Sequence, residues 1–342
     1  MKNALKTAVL AAALAVGATG AAGAKEKVVL AELNWTGAHA IEHVLKAVME
    51  DRLDVEVEII PATAAVIWPA MDKGDGSVDV YTDLWMPNQA AGWNQYVAPG
   101  SRETVLVNKR PYTGLQGLFI PGYIQDEHGI KSVEDLKDPE VAKLFDSDGN
   151  GLGEYWPGGP GWNSTEVEQI KAKSYGYDQV FEPFVVEQWV MEAKLAAAYK
   201  RQKPVLFYFW TPEWIHSEFD LRLLEEPAFD GYASESKKGD PLYRADGCWN
   251  HVASLEDLEW LEKSSITCKW PDAEIYVGFT KSLVERAPNV AKFLEQVFFD
   301  PEVVNGWILD IGQNDREPEE VAKEWIEQNP DIVDEWLTGI TS

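Results

Sequence analysis

Cysteine is nearly absent. The 342 residues contain two, Cys248 and Cys268. Two thiols cannot build a disulfide-dense scaffold, and their spacing fits no zinc pattern; in an oxidising compartment they predict one structural disulfide. Positive charge is also short, with 30 Lys and Arg against 57 Asp and Glu and a net charge of −27. That balance argues against nucleic acid and against anionic membranes, and it reads as a solubility surface. No segment reaches the ~18 consecutive apolar residues of a membrane span. There is no phosphate loop, no Ser/His/Asp arrangement and no dinucleotide fingerprint. The acidic pairs are too numerous in so acidic a chain to nominate a general acid and base.

What is present begins with an address. Residues 1–24 carry Lys2 and Lys6, then an apolar run, then Ala22-Gly23-Ala24. A positive stretch, an apolar stretch and a small-residue cleavage site predict a secretory signal peptide and a soluble, periplasmic, monomeric protein. The remainder is long enough for two domains. Lys27–Leu33 reads as a buried strand, and the segment after Trp35 repeats apolar residues at Ile41, Val44, Leu45 and Val48, as a helix does. Val55–Ile60 is a strand, Ala64–Lys73 a helix, and SVDVYTDL a strand ending at Trp85. Strands alternating with helices predict an α/β protein with a parallel sheet, whose ligands sit beyond the carboxyl ends of strands. VLFYFWTPEW, Val205–Trp214, is a second such strand end. The expected layout is lobe 1 over 25–115, lobe 2 over 116–224 and a return to lobe 1 over 225–342.

Tryptophan is abundant, at 15 residues. Trp35, Trp85, Trp162 and Trp210 each fall at a strand end or in a Gly/Pro loop. A box of indole faces suits a quaternary ammonium or methylated amine, which has no N–H to donate and is recognised by cation–π attraction. The competing reading is that they are core residues capping strands. Trp214 reads as packing. The segment from Asp146 offers Asp146, Asp148, Asn150, the Leu152 carbonyl and Glu154 at alternating positions, with Gly151 at the turn. This is the oxygen spacing of a calcium loop, although Pro157 stands where the usual twelfth-position Glu would be. A plain Asx-rich turn is the alternative. His39, Glu42 and His43 match H-x-x-E-H, an inverted zinc-peptidase motif. Five residues are a weak match, and the more ordinary reading is polar first-turn residues on a surface helix.

YTDLWMP, KDPEVAKLFDSDGNG, GGPGWNS and KPVLFYFWTPEW, in that order, resemble the periplasmic glycine betaine-binding proteins of ABC importers over most of the chain. The resemblance implies a type II periplasmic-binding-protein fold, two α/β lobes closing on a ligand, and no enzymatic activity. It implies a cage of Trp85, Trp162 and Trp210, with the amides of Asn163 and Ser164 meeting an anionic group and a membrane permease as partner. The chain departs from the family's betaine binders at two places. Their carboxylate-holding His is Gln89 here, and the two Cys that bracket the middle cage Trp are Gly158 and Ser164. With Trp35 as a fourth wall, the cage is similar to that of the trimethylamine N-oxide-binding members. These departures place trimethylamine N-oxide ahead of glycine betaine, with choline and carnitine behind. Glu154 is a candidate for the N-oxide as well as for calcium. The rivals are an exported zinc enzyme built on His39, Glu42 and His43, and a receptor domain that presents its ligand to a sensor.

Overall fold

The computed structural model describes residues 25–340. The expected signal peptide lies outside the described residues. The strands are β1 (Lys27–Glu32), β2 (Glu56–Pro61), β3 (Val80–Met86), β4 (Val105–Val107), β5 (Tyr112–Pro121), β6 (Gly153–Trp156), β7 (Phe181–Pro183), β8 (Leu206–Thr211), β9 (Leu221–Leu223), β10 (Trp249–Asn250), β11 (Ser265–Ile266) and β12 (Ala273–Thr280). The main sheet runs β2-β1-β3-β12-β5-β8-β6-β7, with β4 beside β12 and β9 beside β5. β1 is apolar on both faces because helices cover both; Val28, Leu30 and Ala31 are fully buried.

The expected parallel sheet is present only in part. β2, β1 and β3 are parallel, as are β7, β6 and β8. β12 runs antiparallel to β3, β4 and β5, and β5 antiparallel to β8. The reversal arises because β5 carries the chain out of lobe 1 and β12 carries it back. β5 belongs to both lobes: Tyr112–Gly114 pair with β12, and Leu115–Thr211 opens the register with β8. β5 thus changes partners at Leu115, from β12 to β8.

The return to lobe 1 comes later than position 225. The segment before β12 stays with lobe 2. Its β11 lies against the helix Asn163–Tyr175. Ile266 N–H donates to Ser174 Oγ at 3.0 Å, and Trp270 Nε1 donates to Glu168 Oε1 at 2.6 Å. The Cys248–Cys268 disulfide is formed and ties this excursion together. Nothing in the residue pattern of 225–272 marks which lobe will receive it. Among the described residues, no helix is long and apolar enough to cross a membrane.

Candidate functional site

Both lobes bring indoles to one place. Trp85 and Trp210 are the next-to-last residues of β3 and β8, and each of those strands leads to a cis X–Pro bond, Met86–Pro87 and Thr211–Pro212. Trp35 and Trp162 precede the helices Thr36–Arg52 and Asn163–Tyr175 at their N-caps. Trp162 sits 5.6 Å from Trp35 and 5.3 Å from Trp210, and Trp85 sits 6.3 Å from Trp210, all edge-to-face. These four line one cavity of about 60 Å³, with Asp83, Gln89, Asn163 and Ser164 also on its wall. Trp85 and Trp210 are buried by their strands, while Trp35 and Trp162 are half-buried and close the cavity from outside.

The loop that delivers Trp162 needs its glycines. Gly161 has φ +78°, and a Cβ on Gly159 would lie 2.8 Å from the Trp162 ring. At the crossover, a Cβ on Gly114 would lie 2.5 Å from the Thr211 carbonyl and 2.9 Å from Trp85. The cage floor therefore rests on bare backbone where β5 changes lobes.

One carboxylate organises the cage. Asp83 is 1% exposed. Its Oδ2 accepts from Trp35 Nε1 at 2.6 Å and Trp85 Nε1 at 3.0 Å, and its Oδ1 accepts from the Tyr112 hydroxyl at 2.7 Å. Burial pushes its pKa above the usual carboxylate range, and hydrogen bonds from the two indole N–H groups and the Tyr112 hydroxyl pull it part of the way back. Asp83 was not expected from the sequence. Its signal is the strand period: it stands two residues before Trp85 and so shares its face. Asn34 was also missed. It takes Trp162 Nε1 at 2.7 Å and donates to Glu187 at 2.9 Å, joining lobe 1 to lobe 2.

Gln89 is buried at the same lobe boundary. Its Oε1 accepts from Trp68 Nε1 at 3.1 Å, and its Nε2 donates to Asn163 Oδ1 at 3.4 Å. Asn163 and Ser164 are the first residues of their helix, where amides have no intrahelical carbonyl to bond. An anion at that point meets two N–H groups and the positive end of the helix. Trp214 is buried and packs on Phe219, outside the cavity wall.

Glu154 does not reach the cage. It lines a separate cavity and is held by Ser147 Oγ at 2.7 Å and by Lys194. β6 ends two residues after Glu154 and runs straight into the loop to Trp162, while the Glu154 side chain meets Lys194 of the helix Gln188–Lys200. The Asp146 segment folds as a loop of Asx turns. Asp146 accepts from the amides of Gly149 and Gly151 at 2.7 and 3.0 Å, Asp148 from Asn150 at 3.0 Å, and Asn150 from Leu152 at 2.8 Å. Glu182 of β7, which the spacing does not include, meets Asn150 Nδ2.

The H-x-x-E-H segment is not on a surface face. Glu42 is fully buried, and His39 and His43 are partly so. The helix Pro318–Gln328 packs on the helix Thr36–Arg52 and covers this side, which periodicity near residue 40 cannot foretell. Among the described residues, the one group of three acidic or histidine side chains with donor atoms within 4.8 Å of one another is Glu32, His39 and Glu42. His43 is not in it.

Residues 26–328 match the family model described as the substrate-binding domain of ABC-type glycine betaine transport systems. The chain is 32% identical over 130 residues to the glycine betaine/proline betaine-binding periplasmic protein of Escherichia coli K12, covering 36% of this chain and 38% of that one. It is 32% identical over 162 residues to the protein of the same description from Salmonella typhimurium LT2, covering 45% and 49%. The matched stretch thus spans half or less of the length of these curated relatives. Among solved structures, a choline-binding protein of an ABC transporter in complex with choline superposes with a TM-score of 0.68 at 20% identity, covering 92% of each chain. Lactococcal OpuAC, closed on glycine betaine, gives 0.66 at 20% identity, covering 92% of this chain and 100% of that one. At such identity the likeness shows the fold, the two-lobed architecture of periplasmic binding proteins. The relatives are transport binding proteins and not enzymes.

Proposed function

The chain belongs to the family of substrate-binding domains of ABC-type glycine betaine transport systems, and from that premise we propose that it captures a small, fully methylated amine between its lobes for an ABC importer. The observation that carries this reading is the single small cavity walled by Trp35, Trp85, Trp162 and Trp210 with the buried Asp83 carboxylate behind two of the indoles. A methylated nitrogen spreads its positive charge over methyl surface. It can pack on indole faces and feel their negative potential, worth ~2 kcal/mol per good desolvated face. A cation beside Asp83 favours its ionised form against the burial that weakens its acidity, and so gains a negative partner in a dry site. An amine that keeps its N–H groups would lose hydrogen bonds to water that indole faces do not replace.

We place trimethylamine N-oxide ahead of glycine betaine, with choline and carnitine behind. The support is a compact cavity and a reduced anion clamp. Gln89 stands where betaine binders carry His, and its amide is already engaged with Trp68 and Asn163. The remaining donors are the amides of Asn163 and Ser164. A single oxygen asks less of them than a carboxylate does. Closure would bring Trp35 and Trp85 of lobe 1 against Trp162 and Trp210 of lobe 2, and the Asn34 contacts would hold it. The closed surface is what a permease would read. We assign this role to a monomer in the periplasm.

Isothermal titration of the purified protein tests the ligand. Micromolar binding of trimethylamine N-oxide with much weaker binding of glycine betaine is expected. Tighter binding of betaine would show that Gln89 and the two amides suffice for a carboxylate. Absence of binding to any methylated amine would remove the cage reading itself.

For the Asp146 loop we propose a structural calcium ion. Asp146, Asp148 and Asn150 are each oriented by an amide further along the loop, as supporting hydrogen bonds orient metal ligands. Glu182, which accepts from Asn150 Nδ2, would supply the carboxylate that Pro157 cannot, in place of Glu154. Added calcium should raise the melting temperature of the wild-type protein and leave Asp146→Ala unmoved. An equal response of both proteins would make the loop a turn and nothing more.

A further inference from the structure

We propose that Glu32, His39 and Glu42 bind a divalent transition-metal ion of the zinc type, at the junction of β1 and the helix Thr36–Arg52, in a site separate from both the cage and the Asp146 loop. His39 and Glu42 are three residues apart on one helical face, and Glu32 ends the strand that precedes them. Their donor atoms lie within 4.8 Å of one another, so side-chain adjustments of about 1 Å bring them to metal-bond distances near ~2 Å.

Glu42 makes this more than an acidic cluster. It is 0% exposed, and neither of its carboxylate oxygens has a hydrogen-bond partner. An unpaired carboxyl buried beside Ile41 and Leu45 is costly unless something meets it. Glu32 and Asp83 are its charged neighbours, and a His39 ring nitrogen lies within 4.8 Å; a cation among Glu32, His39 and Glu42 would satisfy all three.

The donor set selects the ion. One imidazole nitrogen with two carboxylate oxygens suits zinc and its neighbours in the first transition row. Calcium and magnesium take oxygen ligands. An open cleft leads to the place, walled by Glu32, His39, His43, Glu317, Glu319 and Lys323. Its glutamates favour cation entry, and three protein ligands leave a coordination position for water. The site also has a structural neighbour of consequence. Trp35 caps the same helix and bonds Asp83, so an ion fixing the helix start braces one wall of the cage.

The experiment is zinc titration of the metal-stripped, purified protein, read by calorimetry and by elemental analysis after dialysis. The expected result is one zinc per chain and a higher melting temperature. Glu42→Gln keeps the shape of the side chain and its circular dichroism is the check on folding. It should weaken zinc by at least the roughly 10- to 100-fold that loss of a mere supporting contact costs a metal site. His39→Ala, on the cleft wall, should do the same and serves if Glu42→Gln fails to fold. Asp146→Ala should bind zinc as the wild type does. No saturable zinc in the wild type, or unchanged affinity in a folded Glu42→Gln or His39→Ala, overturns the proposal. Failure of the cage to bind methylated amines would leave the zinc result standing, since zinc is titrated and counted with no amine present.

Discussion

Trp162→Ala should weaken binding of the methylated amine by more than tenfold while the protein stays folded. The loss of one good desolvated face, ~2 kcal/mol, corresponds to roughly thirtyfold. Trp162 is the informative wall because it is half-buried and precedes its helix, so truncation opens the cavity rather than the core. Trp210 is a poorer choice for the same test. It is 5% exposed and stacked 4.4 Å from Phe209, and an alanine there would cost several kcal/mol of stability, ~3–5, on top of any effect on the ligand. Trp210→Phe is the gentler companion. The measurement is calorimetric affinity beside a thermal melt. Normal affinity in a well-folded Trp162→Ala would mean that the indole is packing and no more.

Asp83→Asn should cost roughly a hundredfold in affinity with little change in melting temperature. Asparagine can keep the hydrogen-bond pattern. Its oxygen can accept from Trp35 and Trp85, as Oδ2 does now, and its amide can donate to the Tyr112 hydroxyl. The substitution then removes charge and leaves shape. A unit charge about 5 Å from a cation at an effective dielectric of ~20 is worth roughly 3 kcal/mol. Because the charge is buried, the loss should persist at high salt. Unchanged affinity would reduce Asp83 to a scaffold for the indoles.

How far the sequence foretold this site depends on the range of the signal. The four tryptophans were legible because each sits beside local punctuation: a strand end, a proline, or a glycine loop. β1, β2, β3 and β8 and the helices after Trp35 and around Ala64–Lys73 were legible from period and length, while the short strands were not read. Asp83 was hidden in plain view. A chain with 57 acids offers no reason to pick one, and its partners Trp35 and Tyr112 lie 48 and 29 positions away. Glu42 was misread for a related reason. Its charged neighbours Glu32 and Asp83 come from the strands beneath, and the helix Pro318–Gln328, almost 280 residues downstream, packs on the helix that carries it, which periodicity cannot see. The mixed sheet and the late return to lobe 1 were illegible because strand direction and docking partner are decided by the path of the chain through space. Glu154 satisfied a spacing rule, but Lys194 had the stronger claim on its charge.

Asp83 also bears on the protein when nothing is bound. Bringing the lobes together strips water from a negative charge whose three partners are neutral hydrogen-bond donors. With a methylated cation between the lobes, that charge gains a counterion. Without one, apposition leaves it with no positive neighbour in a medium that screens poorly. The same carboxylate that attracts the solute therefore works against a shut and vacant molecule. A transporter fed by such a receptor would be spared false starts, since the shape that announces cargo is disfavoured unless cargo is there.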